Sequence, residues 1–189
     1  PPAGVAAFLG RFRGAMPALA RLDSVEAEDL APRGEAAFSV AESEMGPRAG
    51  ALVPPDAALC ADCRREMEDP GDRRWRYPFT TCTNCGPRFS LCRSLPYDRE
   101  RTSMACFPLC PGCSREYGDP SDRRFHAEPV CCPDCGPRPV FRTAAGTVEG
   151  IREAMDAARA SLAAGRIVAV KGLGGFQLAC RADRPLPVA

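Results

Sequence analysis

Eight of the twelve cysteines in this 189-residue chain stand as four Cys-x-x-Cys pairs: Cys60/Cys63, Cys82/Cys85, Cys110/Cys113 and Cys132/Cys135. Two such pairs about 15 to 20 residues apart bring four thiolates to one tetrahedral zinc ion. The gaps between successive pairs are 18, 24 and 18 residues, so the rule is met twice. Adding 50 to a position in the first half reproduces the second: Arg65-Glu66 falls on Arg115-Glu116, Asp72-Arg73-Arg74-Trp75 on Asp122-Arg123-Arg124-Phe125, and Gly86-Pro87-Arg88 on Gly136-Pro137-Arg138. A duplicated unit predicts one ion on Cys60, Cys63, Cys82 and Cys85 and a second on Cys110, Cys113, Cys132 and Cys135; interleaved pairing satisfies the same spacing.

Four thiolates close the shell, leaving no position for water or substrate, so the expected ions are structural and the block holds no catalytic residue. Each unit spans 26 residues from first to last ligand, too few to bury a stabilising core. Structural zinc contributes on the order of 10–16 kcal/mol per site in small peptides, which fills that gap. The rival, a disulfide framework, belongs to small secreted domains, and the first residues show no charged-then-apolar leader.

The repeat also sorts the remaining residues. Cys131 aligns with Thr81, and Cys92 and Cys106 lie in the 24-residue spacer, so all three read as small buried or half-buried hydrophobes. His126, the only histidine, takes the place of Arg76 and is expected outside both filled shells, hydrogen-bonding at a surface between modules. Trp75 and Phe125 read as the small core of each module, with the neighbouring arginines paired locally to aspartate or packed on rings. From Cys60 to Arg138 there are 13 Arg and 12 Asp or Glu, whereas phosphate binding needs an uncompensated basic surface. A non-enzymatic zinc-ribbon adaptor for protein or nucleic acid is the competing class.

Around this block the composition changes on both sides, which predicts an α+β chain of several small domains. In residues 1–48, Val5, Phe8, Leu9, Phe12, Met16 and Leu19 share one helical face. Two short strands follow, at Leu22 to Ala27 and at Ala36, Phe38, Val40 and Glu42, around a Pro32-Arg33-Gly34 turn. Arg11, Arg13 and Asp23 read as a solvated face. Such a piece cannot enclose a core, so partner strands are expected upstream of Pro1, and the chain reads as a segment of a longer protein. Residues 49–59, with Gly50 and Pro54-Pro55, form the expected linker.

Past residue 141, Thr147 is expected to cap a helix with Glu149 in its first turn. Val148, Ile151, Met155, Ala158 and Leu162 line one face until Gly165 ends it. Arg166 to Val170 then suit a buried strand leading into Lys171-Gly172-Leu173-Gly174-Gly175-Phe176. Lys171 is the only lysine among 25 basic residues. It precedes the glycines, which excludes a P-loop, and Gln177 occupies the third glycine position of a dinucleotide fingerprint. Lys171, Gly172, Gly174 and Gly175 are therefore candidates for an anion-binding edge in which glycine frees backbone amides and the lysine supplies charge; the alternative is a tight turn with a surface lysine. A net charge of +1 gives no case for nucleic acid or an anionic membrane as main partner, no apolar run spans a bilayer, and a cytoplasmic protein is expected.

The four-pair array, with Arg73-Arg74-Trp75-Arg76-Tyr77-Pro78-Phe79, Cys85-Gly86-Pro87-Arg88-Phe89 and Asp122-Arg123-Arg124-Phe125-His126-Ala127 around it, resembles the hydrogenase maturation carbamoyltransferases, the HypF family. The resemblance implies this order: residues 1–48, the C-terminal part of a ferredoxin-like acylphosphatase domain; 49–59, linker; 60–90, first zinc module; 91–109, spacer; 110–140, second zinc module; 141–189, the opening of a YrdC-like domain that binds nucleotide and carbamoyl groups. It implies carbamoyl phosphate and ATP with Mg2+ as substrates of the full-length enzyme, which makes a carbamoyl adenylate and passes the carbamoyl group to the C-terminal cysteine of a HypE-like acceptor. The acylphosphatase arginine loop and the final transfer domain are not in this stretch, so scaffold plus one edge of the nucleotide site is expected, inactive alone. The family has histidine where this chain has Gln177.

Overall fold

The computed structural model describes residues 2–17, 19–31, 34, 53–172 and 175–183. The chain divides into two units, residues 1–48 and 49–189.

In the first unit, helix α1 (Pro2–Phe12) continues as a 3-10 turn over Arg13–Ala15. The predicted face is shorter than expected. Met16 is extended at φ −66°, ψ 141°, because the ring of Pro17 disfavours helical geometry in the residue before it, so Met16 and Leu19 leave the stripe. Val5, Phe8 and Leu9 remain 59%, 58% and 42% exposed, the face a further layer would cover. Residues 22–27 have no ladder partner among the described residues and are not a strand; the strand expected at Ala36–Glu42 lies outside them.

The second unit is built on two short helices, α2 (Ala61–Glu68) and α3 (Pro111–Gly118), one in each copy of the repeat. Cys60 and Cys110 are their N-caps, and the Cys60 sulfur accepts the Cys63 N–H. Each helix ends on an aspartate: Asp69 accepts the Gly71 N–H and Asp119 the Ser121 N–H. Asp72 and Asp122 then accept the N–H of Arg74 and Arg124, setting both arginines at the same point of the same turn. Arg76 and His126 close the two turns in the left-handed region, at φ 57° and 48°.

The spacer is an ordered part of the core. Its 3-10 segments Phe89–Leu91 and Ser103–Cys106 deliver Leu91 and Met104, which pack with Tyr77 and Cys131 while Phe107 and Ile151 flank them. Arg99 fastens the spacer to the second module by donating to the carbonyls of Glu128 and Val130, and it also holds Phe107 O within the spacer. Residues 53–59 are pinned too: Ala57 pairs with Gly86, and Asp56 accepts the N–H of Arg88 and Ser90.

Strands β1 (Phe141–Thr143) and β2 (Gly146–Val148) form an antiparallel hairpin with Arg142 opposite Thr147. Thr147 is therefore a strand residue and not the expected cap. Helix α4 (Ile151–Ala163) starts at Gly150, φ 95°, and its first-turn acid is Glu153, which lies over that glycine. Its end is as read: the N–H of Gly165, φ 79°, reaches Leu162 O and that of Arg166 reaches Ser161 O, the two bonds of a glycine-terminated helix. Strand β3 (Val168–Lys171) pairs with β4 (Phe176–Ala179). Of β3 only Val168 is buried, so the strand expected inside is largely open, with one helix as its neighbour.

Candidate metal centres and the joint between them

The eight repeated cysteines converge as two separate groups, Cys60/Cys63/Cys82/Cys85 and Cys110/Cys113/Cys132/Cys135, the sulfurs of each lying within 4.8 Å of one another. Pairing is thus within each copy, and the interleaved alternative is excluded. In the first group the shortest separations are 3.4 Å (Cys63–Cys85), 3.7 Å (Cys60–Cys82) and 3.8 Å (Cys82–Cys85). In the second they are 3.6, 3.7 and 3.8 Å at the equivalent pairs. A tetrahedron with zinc–sulfur bonds of about 2.3 Å has edges of about 3.8 Å, whereas a disulfide needs about 2.05 Å. The sulfurs stand at the edge length of a metal tetrahedron.

Backbone amides serve these sulfurs, as when Asn84 N–H donates to Cys82 Sγ. More telling are the arginines, which sequence reasoning paired locally. Their side chains cross. Arg73, in the first module, donates to Cys113 Sγ at 2.8 Å, with Arg74 at 3.5 Å from the same sulfur. Arg123, in the second, donates to Cys63 Sγ at 3.2 Å. Arg74 Nε reaches the carbonyl of Cys131 and Arg124 Nε that of Thr81, which is its counterpart in the repeat.

Two glutamates complete the joint. Glu116 receives Arg73 and Arg74 from the first module; Glu66 receives Arg123 and Arg124 from the second. Arg74 and Arg124 are 1% and 3% exposed and form the buried centre of the ion network, whose other members are partly exposed. Burial by itself would raise the Glu116 carboxyl, yet the guanidiniums of Arg74, Arg124 and Arg73 hold it below the ordinary carboxylate range. Burial opposes Glu66 in the same way, and Arg124 and Arg123 lower it. The identity of Glu66 with Glu116 and of both arginine pairs across the repeat was the available signal; a linear sequence does not say that the contact is made in the other copy.

The single residues sort differently from expectation. Trp75 and Phe125 are half-buried, and the core is instead Tyr77, Leu91, Met104 and Cys131. Trp75 faces α4, with the guanidiniums of Arg152 and Arg76 at 5.0 and 5.5 Å from its ring. Cys131 is buried as read, and burial pushes its thiol up to about 11. Cys92 is half-buried, whereas Cys106 is exposed because its 3-10 turn points Met104 inward. His126 lies outside both sulfur groups, edge-on to Phe125 at 4.5 Å and tilted against Tyr117 at 4.9 Å, both of its own module.

At the glycine-rich turn, Lys171 Nζ contacts Gly172 O at 3.1 Å and sits 5.8 Å from the Phe176 ring. Gly172 N–H donates to Gly175 O, and Gly174 lies outside the described residues. Gly172, Gly175 and Gln177 form one wall of an open cavity of about 510 Å³ whose other wall is Asp56, Gly86 and Ser90.

Fold and sites together define a mixed α/β chain carrying two four-cysteine zinc modules. Residues 59–92 and 109–141 each match the family model of the HypF finger. The chain is 51% identical over 187 residues to carbamoyltransferase HypF of Rhodobacter capsulatus, covering 94% of this chain and 24% of that protein. It is 48% identical over 179 residues to carbamoyltransferase HypF of Synechocystis sp., covering 94% and 23%. A crystal structure of full-length HypF in a phosphate- and nucleotide-bound form superposes with a TM-score of 0.85 at 41% identity, over 97% of this chain and 24% of that one. The chain belongs to the HypF family and spans about a quarter of the length of these relatives. Among the described residues no helix is long and apolar enough to cross a membrane.

Proposed function

We propose that this chain is the zinc-bearing scaffold segment of an ATP-dependent carbamoyltransferase. Both four-cysteine groups hold structural Zn2+, on Cys60, Cys63, Cys82 and Cys85 and on Cys110, Cys113, Cys132 and Cys135. The observation that carries this is the closed sulfur tetrahedron repeated twice, which leaves an ion no open position for chemistry. Zinc supplies the folding energy that modules of this size lack; the chain's own residues orient the thiolates and neutralise them.

In this reading residues 1–48 end an acylphosphatase-like domain and 141–189 open a YrdC-like one, with the 60–140 body holding the two together. The full-length enzyme cleaves carbamoyl phosphate, adenylates the carbamate with ATP and Mg2+, and passes the carbamoyl group to the C-terminal cysteine of a HypE-like acceptor. Lys171, with the backbone of Gly172, Gly174 and Gly175, forms one edge of the site for the anionic intermediate. The open cavity beside that turn supports this placement. The adaptor reading loses ground because Arg73, Arg74, Arg123 and Arg124 are committed to glutamates and sulfurs and so do not offer their charge to phosphates.

Lys171→Ala in the full-length enzyme tests the assignment. Carbamoyl adenylate formation is expected to fall, with the zinc content unchanged at two per chain. Unchanged adenylate formation returns Lys171 to a surface role, and zinc loss would mean that the turn supports the fold instead.

A further inference from the structure

In each module the two cysteine pairs clasp a loop, residues 64–81 in the first and 114–131 in the second. Each loop carries an Arg-Arg pair, and in each case the guanidiniums lie against a thiol of the other group: Arg73 and Arg74 on Cys113, Arg123 on Cys63. Both receiving cysteines are 0% exposed. A divalent ion with four thiolates carries two net negative charges, and such a charge in a buried site demands compensation. The compensating cations of each centre are thus supplied by the loop that the other centre closes.

We propose that the two metal sites are coupled through these crossed arginines, so that an ion in either site raises the affinity of the other. This rests on the reading of both groups as zinc sites. The two states are a loop with its ends clasped by metal and the same loop unclasped. Metal in the first site fixes residues 64–81 and so presents Arg73 and Arg74 to Cys113; metal in the second fixes 114–131 and presents Arg123 to Cys63. Neither arginine pair can neutralise the other site without first being held, and by linkage the gain is equal in both directions. Glu66 and Glu116 act as stops: each fixes the incoming pair from the opposite loop, with Arg123 2.5 Å from Glu66 and Arg73 3.2 Å from Glu116. Arg73, Arg74, Arg123 and Arg124 are in this sense positioning residues for the partner centre.

A binding cycle on the intact chain reads the coupling. Zinc affinity is measured by chelator competition for the unaltered chain, for Cys60→Ser with Cys63→Ser, and for Cys110→Ser with Cys113→Ser. The two-site constant is divided by the product of the two single-site constants. The expected quotient is at least about fivefold, the lower end for coupled sites. Arg73→Met with Arg123→Met, both at partly exposed side chains, is expected to bring it to about one while two ions still bind at excess zinc. A quotient of about one in the unaltered arginine background overturns the proposal, as does one that the methionine variant leaves unchanged. If the methionine variant does not reach two ions, Arg73→Gln with Arg123→Gln carries the test. That pair removes the charge but keeps a hydrogen-bonding side chain, and an undiminished quotient again overturns the proposal. Fewer than two ions on the unaltered chain at excess zinc would instead sink the zinc reading itself.

Discussion

The two copies of the repeat agree at the metal ligands and at the crossed arginines and glutamates, and they differ around that frame, including parts of the surface where they meet. Ligands, helix caps, turn aspartates, crossed arginines and receiving glutamates are paired position for position. Tyr77, by contrast, has Ala127 as its counterpart: in the first copy the ring fills the core beside Cys131 and its hydroxyl donates to Pro137 O. Gly136 permits that approach, since a Cβ there would lie 2.2 Å from the Tyr77 hydroxyl. Gly86, its equivalent, is required both by a backbone at φ 91° that pairs with Ala57 and by Thr81, whose Oγ1 would lie 2.1 Å from a Cβ there. Trp75 seats α4, while Phe125 packs on His126. The repeat thus supplies a self-complementary joint, and the differing residues fit each copy to unlike neighbours in the core and on the outside.

That contrast is open to attack from several sides. Chelating both ions should abolish the likeness altogether. A contribution on the order of 10–16 kcal/mol per site is withdrawn, and residues 60–138 are expected to lose amide protection in hydrogen exchange while α1 is unaffected. Retained protection would show that Tyr77, Leu91 and Met104 hold the body without metal.

Next in size come the buried arginines. Arg74→Met takes the buried guanidinium from Glu116 and Arg124→Met takes it from Glu66, leaving Arg73 and Arg123 as the remaining partners, and each is expected to cost about 3 kcal/mol in denaturant unfolding with zinc present. The two costs should agree within about 1 kcal/mol, because the copies present the same geometry. A large inequality would break the symmetry of the joint.

Trp75 and Phe125 should part company. Trp75→Ala is expected to cost about 2–3 kcal/mol and to speed exchange in α4, against about 1 kcal/mol and no change in α4 for Phe125→Ala. Matching effects would return both rings to the equivalent core role that their spacing suggested.

The smallest effect separates the carboxylates by sign. Glu66 and Glu116 are held below their ordinary range, so their stabilisation is present above the unfolded pKa and is lost as pH falls through the folded one. Glu128 is raised by burial, although Tyr117 donates to it, so its destabilisation sets in as pH rises past the unfolded carboxyl's value and is complete above the folded one. Glu128→Gln should give a small gain at neutral pH that vanishes in acid, whereas Glu116→Gln should lose stability at neutral pH. A loss for both, measured by unfolding across pH, would remove the distinction.

How much of this was legible depended on the range of each interaction. Metal ligation follows from residue type and spacing, so Cys60 to Cys135 were readable directly. The same holds for the Gly165 stop of α4, which is local chemistry. The crossing of Arg73 and Arg123 was not readable: repeat alignment marks both as retained but gives no direction across the joint. Thr147 was misplaced because a capping residue and a short hairpin strand look alike until Phe141 is seen opposite Val148. The spacer looked like a connection because its core residues Leu91, Met104 and Phe107 follow no helical or strand period.

Zinc K-edge absorption fine structure on the intact chain tests the closed-scaffold account most directly. The account predicts two zinc ions per chain, each with four sulfurs at about 2.3 Å and no lighter neighbour. A nitrogen or oxygen in either shell, or fewer than two ions at saturation, would contradict it.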